Sequence, residues 1–146
     1  MTREHFDSLT YTKESDILRV GGTIEGIEYQ TLANFDLLCR KLSEYNCEAI
    51  ILFNGLNSGY HISKEHKRGG AVDFTIDKEL PVFTIVVLMI RSGFNGIGIY
   101  HNGVCYHFHG DIGDIRQWIG YKKKGEKDWY PYTALVNDPK FLAMSK

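Results

Sequence analysis

Asn102-Gly103 lies between two short segments of alternating polarity, Gly96 to Tyr100 and Val104 to His109. Asn-Gly supplies the two positive φ angles of a type I′ turn, so the pair predicts an antiparallel hairpin. A chain with this signal has to build a sheet. On the second segment the period of two puts Tyr106 and Phe108 on one face and His107 and His109 on the other. Cys105 and Asp111 share the histidine face if the strand runs that far.

The remaining elements are read around that hairpin. Residues 1–28 predict short strands and turns around Gly21-Gly22 and Gly26. From Tyr29 to Glu44, Leu32, Phe35, Leu38, Cys39 and Leu42 recur at helical spacing. Cys47 to Phe53 is short and apolar and ends at Asn54-Gly55, which predicts a buried strand. Residues 54–69 are rich in Gly, Asn, Ser and charge and predict a long loop. Gly70 to Ile76 alternates, with Val72, Phe74 and Ile76 on one side and Ala71, Asp73 and Thr75 on the other. Pro81 to Ser92 is apolar nearly all round. Pro81 at its start and Gly93 past its end favour a buried helix. The expected fold is one α+β domain over residues 1–146, a small antiparallel sheet with flanking helices.

Composition narrows the function classes. A formal net charge of -1 argues against general affinity for nucleic acid or anionic membrane. The run Lys122-Lys123-Lys124, with Lys127, reads as a solvated face. Cys39, Cys47 and Cys105 are odd in number and form no CxxC pair, which fits a reducing compartment rather than a disulfide framework. The start of the chain is polar, and the longest apolar run, Val82 to Ile90, is too short to span a bilayer. Synthesis in the cytosol, no membrane insertion and a monomeric state are the expectations.

Five of the six histidines lie between His61 and His109. His66 and Asp73 are separated by six residues, among them the small residues Gly69, Gly70 and Ala71. Small residues let the chain turn from loop to strand close to an ion. A carboxylate at mid-strand is disfavoured without a partner. Imidazole and carboxylate are ligands zinc takes in catalytic sites, three from the protein with one position left open. A His/Asp/His set satisfies that count and leaves one histidine for acid-base work. His5 and His101 read as surface or hydrogen-bonded residues, and Arg116 and Trp118 as packing residues.

The run from Ser63 through His66 and Gly69-Gly70-Ala71 to Asp73 resembles the signature of the zinc D-Ala-D-Ala peptidases. That group also includes lysostaphin-type enzymes and the hedgehog amino-terminal domain. His107-Phe108-His109 matches its His-x-His, and Asn57-Ser58-Gly59-Tyr60 resembles the segment before the zinc motif. Gly96-Ile97-Gly98-Ile99-Tyr100, and His109-Gly110-Asp111-Ile112-Gly113 with Arg116 and Trp118, look like one branch of the group. The resemblance covers about residues 30–118. It implies a hedgehog/D-Ala-D-Ala peptidase-like fold, Zn2+ held by His66, Asp73 and His109, and hydrolysis of peptidoglycan peptides.

His107 is then expected to stabilise the oxyanion or carry a proton, and Asp111 to orient a ligand imidazole. His61, Ser63 and Arg68 are the expected substrate-binding residues. His61 stands where the group's pattern has an arginine for a terminal carboxylate, so an endopeptidase is expected rather than a carboxypeptidase. Tyr106 stands where many relatives carry an acidic base. A zinc-binding module without catalysis is the alternative. The polar start fits a phage lysis enzyme or a virion-associated wall hydrolase, and equally a truncated domain or a cytosolic recycling enzyme.

Overall fold

The computed structural model describes residues 1–53, 55–57, 64–121 and 130–132. The chain begins with helices α1 (Arg3–Asp7) and α2 (Glu14–Arg19), then a 3-10 turn over Ile24–Gly26. This corrects the expected strands. Thr2 caps α1 by accepting from the His5 amide, and Gly21, at φ 79, follows the end of α2. Gly21-Gly22 is thus a helix stop rather than a strand turn, because only glycine takes the left-handed position after a helix without strain.

Helix α3 (Tyr29–Ser43) follows the predicted span and buries Leu32, Phe35, Leu38 and Leu42. Asp36, on the same helix, accepts from the backbone amides of Thr10, Tyr11 and Thr12 at 3.2, 2.7 and 2.7 Å. One carboxylate therefore ties the N-terminal segment to the helix. Strand β1 (Ala49–Ile51) is an edge strand whose Ile50 is exposed, so the expected buried strand is buried only in part. Inside the expected loop lies a short helix, α4 (Lys64–Lys67), followed by β2 (Ala71–Ile76).

Helix α5 (Val82–Arg91) runs from Pro81 to Gly93, which has φ 98, as the flanking residues predict. It is not buried all round. Val82, Ile85, Val86, Leu88 and Met89 are inside, while Phe83, Val87 and Ile90 are exposed. Strands β3 (Gly96–His101) and β4 (Tyr106–Asp111) form the expected hairpin in register Gly98↔His109. The turn differs from expectation. Asn102 has no positive φ; only Gly103 does, at 86°. Asn102 Oδ1 instead accepts from the amides of Val104 and Cys105, both at 2.9 Å. The connection has four residues, and a side chain replaces the second left-handed residue.

Strands β5 (Arg116–Tyr121) and β6 (Tyr130–Tyr132) complete a sheet of order β1-β2-β4-β3-β5-β6. The pairing of β3 with β5 is parallel, so the sheet is mixed and not antiparallel as expected. Asn95 sets this up at the start of β3. Its amide donates to Asp111 O, its carbonyl accepts from Arg116 N, and its side chain donates to Gly113 O. The link from β4 to β5 therefore crosses the end of β3, and β5 lands on β3's far side.

One face of the sheet is apolar: Val72, Phe74, Ile97, Ile99, Phe108 and Ile119 form the core with α3 and α5. The other face carries the chemistry. No helix among the described residues is long and apolar enough to cross a membrane.

Candidate metal centre

Register arranges the second face in rows. Ala71, Asp111, Gly96 and Arg116 form one row across β2, β4, β3 and β5; Asp73, His109, Gly98 and Trp118 form the next. His107, Tyr100 and Gly120 follow in a third. Adjacent strands are about 4.8 Å apart and same-face neighbours along a strand about 6.7 Å, so side chains of adjacent rows meet.

His66 comes to this face from α4. Gly69, at φ 79, ends that helix and lies so close to Gly26 that a Cβ would collide with the Gly26 carbonyl. The Glu28 amide donates to Gly69 O, and Thr31 Oγ1 donates to the same oxygen. These contacts fix the turn that delivers His66 opposite β2.

His66 Nε2 is 3.2 Å from His109 Nδ1 and 3.1 Å from Asp73 Oδ2; His109 Nδ1 is 2.8 Å from Asp73 Oδ1. The remaining ring nitrogens settle the tautomers. His66 Nδ1 is 2.8 Å from Leu56 O, which can only accept, so Nδ1 carries the hydrogen. His109 Nε2 is 2.9 Å from Asp111 Oδ2, which likewise accepts. In their neutral forms both rings turn lone pairs toward the Asp73 carboxylate.

Three converging lone-pair donors repel unless something positive lies among them. A proton bridges two at most, whereas a metal ion takes all three. Tetrahedral zinc with ligands at 2.0–2.1 Å would hold its donors about 3.3 Å apart, close to the spacing here. The buried group His66, Asp73 and His109 can therefore hold a metal ion. Among the described residues no fourth His, Cys, Asp or Glu joins them.

The electrostatics agree. Burial lowers the proton affinity of His109, but Asp111 and Asp73 outweigh it and raise its pKa to about 9. Burial raises that of Asp73, but hydrogen bonds from His109 and His66 outweigh it and hold the carboxyl well below the usual range. The cluster is built around positive charge.

Asp111 is fully buried and accepts from His109 Nε2, from the Gly113 amide at 2.9 Å and from Arg116 at 3.1 Å. It takes the expected position behind a ligand imidazole. A Cβ at Gly96 would lie 2.2–2.4 Å from that carboxylate, so the glycine makes the room. Arg116 rests over the Trp118 ring, 4.9 Å from its centroid, and Trp118 lies beside His109 at 5.1 Å. Trp118 Nε1 donates to the Tyr100 hydroxyl at 2.6 Å.

The other expected site residues fall as follows. His107 is on the same face, stacked on Tyr100 with centroids 5.4 Å apart at 17°. Arg68 lies beside two carboxylates, at 2.6 Å from Glu65 and 3.6 Å from Glu28. His61 and Ser63 lie outside the described residues. Cys105 is exposed in the hairpin turn and is not a member of the ligand group. His101 accepts from the Gly103 amide, a local turn contact.

Sequence reasoning placed Tyr100, Arg116 and Trp118 in the pattern of one branch of the group but gave Tyr100 no role and weighed Arg116 and Trp118 as structural. The alternation Arg116-x-Trp118 beside Gly96-x-Gly98-x-Tyr100 was the available signal, but it becomes readable only once β5 is known to pair with β3. Comparisons with protein-family models, curated proteins and solved structures find no match. The fold and site define an α+β domain with a buried His/Asp/His group that could hold a metal ion.

Proposed function

We propose that this chain is a zinc peptidase of the hedgehog/D-Ala-D-Ala peptidase type, cutting peptide bonds within bacterial peptidoglycan. The observation that carries the metal reading is the convergence of His66 Nε2, His109 Nδ1 and the Asp73 carboxylate, with both remaining imidazole nitrogens tied to acceptors. Among the described residues three side chains converge and no fourth joins them, a count that suits a catalytic ion better than a structural one, which takes four protein ligands. The choice of zinc rests on the two imidazoles and one carboxylate. The choice of substrate rests on the resemblance of Ser63–Asp73 and His107–His109 to the wall peptidases.

A bound zinc ion would supply Lewis acidity toward the scissile carbonyl and lower the pKa of water. The chain's own residues do the rest. Asp73 and the two histidines present lone pairs in fixed directions. Asp111, anchored by Arg116 and the Gly113 amide, keeps the hydrogen of His109 on Nε2 and its lone pair on Nδ1. His107, one position along the face from His109, carries a proton between the attacking water and the leaving amine. Glu65 is ion-paired to Arg68, and Asp111 is taken by His109 and Arg116. The proton is therefore assigned to imidazole rather than to a carboxylate.

The endopeptidase reading rests on His61, which stands where the resembling peptidases carry an arginine for the terminal carboxylate. The test offers purified peptidoglycan and a short D-Ala-D-Ala-terminated peptide side by side, with mass spectrometry of the products. Soluble wall fragments with new amino termini are expected. Release of free alanine from the short peptide alone would make it a carboxypeptidase. Zinc binding without any cleavage would make it a binding module.

A further inference from the structure

Strand β3 presents no side chain to the site at Gly96 or Gly98 and a phenol at Tyr100. A Cβ on Gly98 would lie 2.7–2.8 Å from Cε2, Cζ2 and Nε1 of Trp118, so the indole lies directly over the Gly98 backbone. Gly98 pairs with His109, and His109 pairs with Asp73. The Tyr100 oxygen is 2.6 Å from Trp118 Nε1. The phenol therefore leans along β3 out of its own row, and its oxygen comes over the row that carries the metal ligands. The His107 ring lies nearly parallel to the phenol, with centroids 5.4 Å apart at 17°.

In that bond the indole N–H donates and the phenol oxygen accepts. Accepting a hydrogen bond polarises the phenol and makes its own O–H a stronger donor. We propose that Tyr100 is a catalytic residue whose O–H donates to the scissile carbonyl oxygen as negative charge develops there. This rests on the hydrolytic reading of the site. In the step, the water oxygen bonds to the carbonyl carbon and the π pair moves onto the carbonyl oxygen, where Tyr100 holds it. When the pair returns, the C–N bond breaks. The nitrogen takes the proton that left the water by way of His107. Tyr100 keeps its proton throughout, and burial, which holds its pKa above the ordinary phenol value, helps it to do so.

Tyr100→Phe tests this, because it keeps the ring and its stack on His107 and removes one oxygen. The variant should retain one equivalent of zinc and an unchanged visible spectrum when loaded with cobalt. Its turnover on peptidoglycan should fall about 10²-fold with KM nearly unchanged, the usual loss for one oxyanion donor. Its affinity for a phosphinate analogue of a wall peptide with residues on both sides of the scissile bond, measured by calorimetry, should fall at least tenfold. Parental turnover, equal phosphinate affinity in the two proteins, or loss of zinc in the variant would each overturn the proposal. If the parent cleaves no wall peptide, the peptidase reading fails and the role of Tyr100 fails with it; a cleaving parent with an equally active Tyr100→Phe overturns the Tyr100 proposal alone.

Discussion

Asp111 is not one of the three ligands, yet it determines which nitrogen of His109 can reach an ion. Its buried carboxylate holds Nε2–H at 2.9 Å and is itself held by Arg116 and the Gly113 amide. Asp111→Asn can present either an oxygen or an amide hydrogen to that nitrogen, so the tautomer is no longer fixed. Zinc affinity should weaken by about 10–100-fold, the typical loss for such a partner, as read by competition with a chromophoric chelator. His107→Ala should behave in the opposite way. It removes no ligand, so zinc content should stay at the parental level while turnover drops by about 10²–10³. If the variant loses zinc and keeps its activity, the roles of His107 and His109 have been exchanged.

At the scale of elements, the glycines of β3 are what open the face. Gly96→Ala would push a methyl to within 2.2–2.4 Å of a carboxylate that already has three partners. The substitution should cost about 1–3 kcal/mol in urea unfolding, the usual range for overpacking, and should weaken zinc binding in the same protein. A variant as stable as the parent would mean that Asp111 is less confined than its contacts require.

The elements that could be read from sequence were those with a strong local signal. Helix α3 has its apolar stripe, α5 has Pro81 and Gly93, and the β3–β4 hairpin has its alternation. The His/Asp/His group was legible because its members lie on two such strands and beside a glycine turn. The meeting of Tyr100, Arg116 and Trp118 was not, because it depends on β5 passing over the end of β3 to pair in parallel, a long-range arrangement that Asn95 bonds on both sides. Helices α1 and α2 were missed for a related reason. Each is at most six residues long, too short for periodicity to register, and Asp36 on distant α3 holds their connecting segment.

For the whole molecule, the His66, Asp73 and His109 group couples to stability and to pH. In the metal-free protein, folding raises the His109 pKa from 6.5 to about 9. Its contribution to stability is therefore fully present below pH 6.5 and is lost as pH rises through about 9. Chelator-treated protein should melt at a lower temperature at pH 9 than at pH 6.5. Zinc competes for the same nitrogen, so its apparent affinity should rise across that interval as a proton is released on binding. Saturation with zinc at pH 9 should raise the melting temperature, since an ion that binds only the folded chain stabilises it by mass action.

The claim on which everything else stands is that His66, Asp73 and His109 hold one metal ion. Elemental analysis of protein purified without added metal, with Asp73→Ala and His109→Ala prepared in parallel, addresses it directly. Close to one equivalent of zinc in the parent and essentially none in either variant is the expected result. Equal zinc in parent and variants, or a parent that takes up no zinc on titration, would contradict the account.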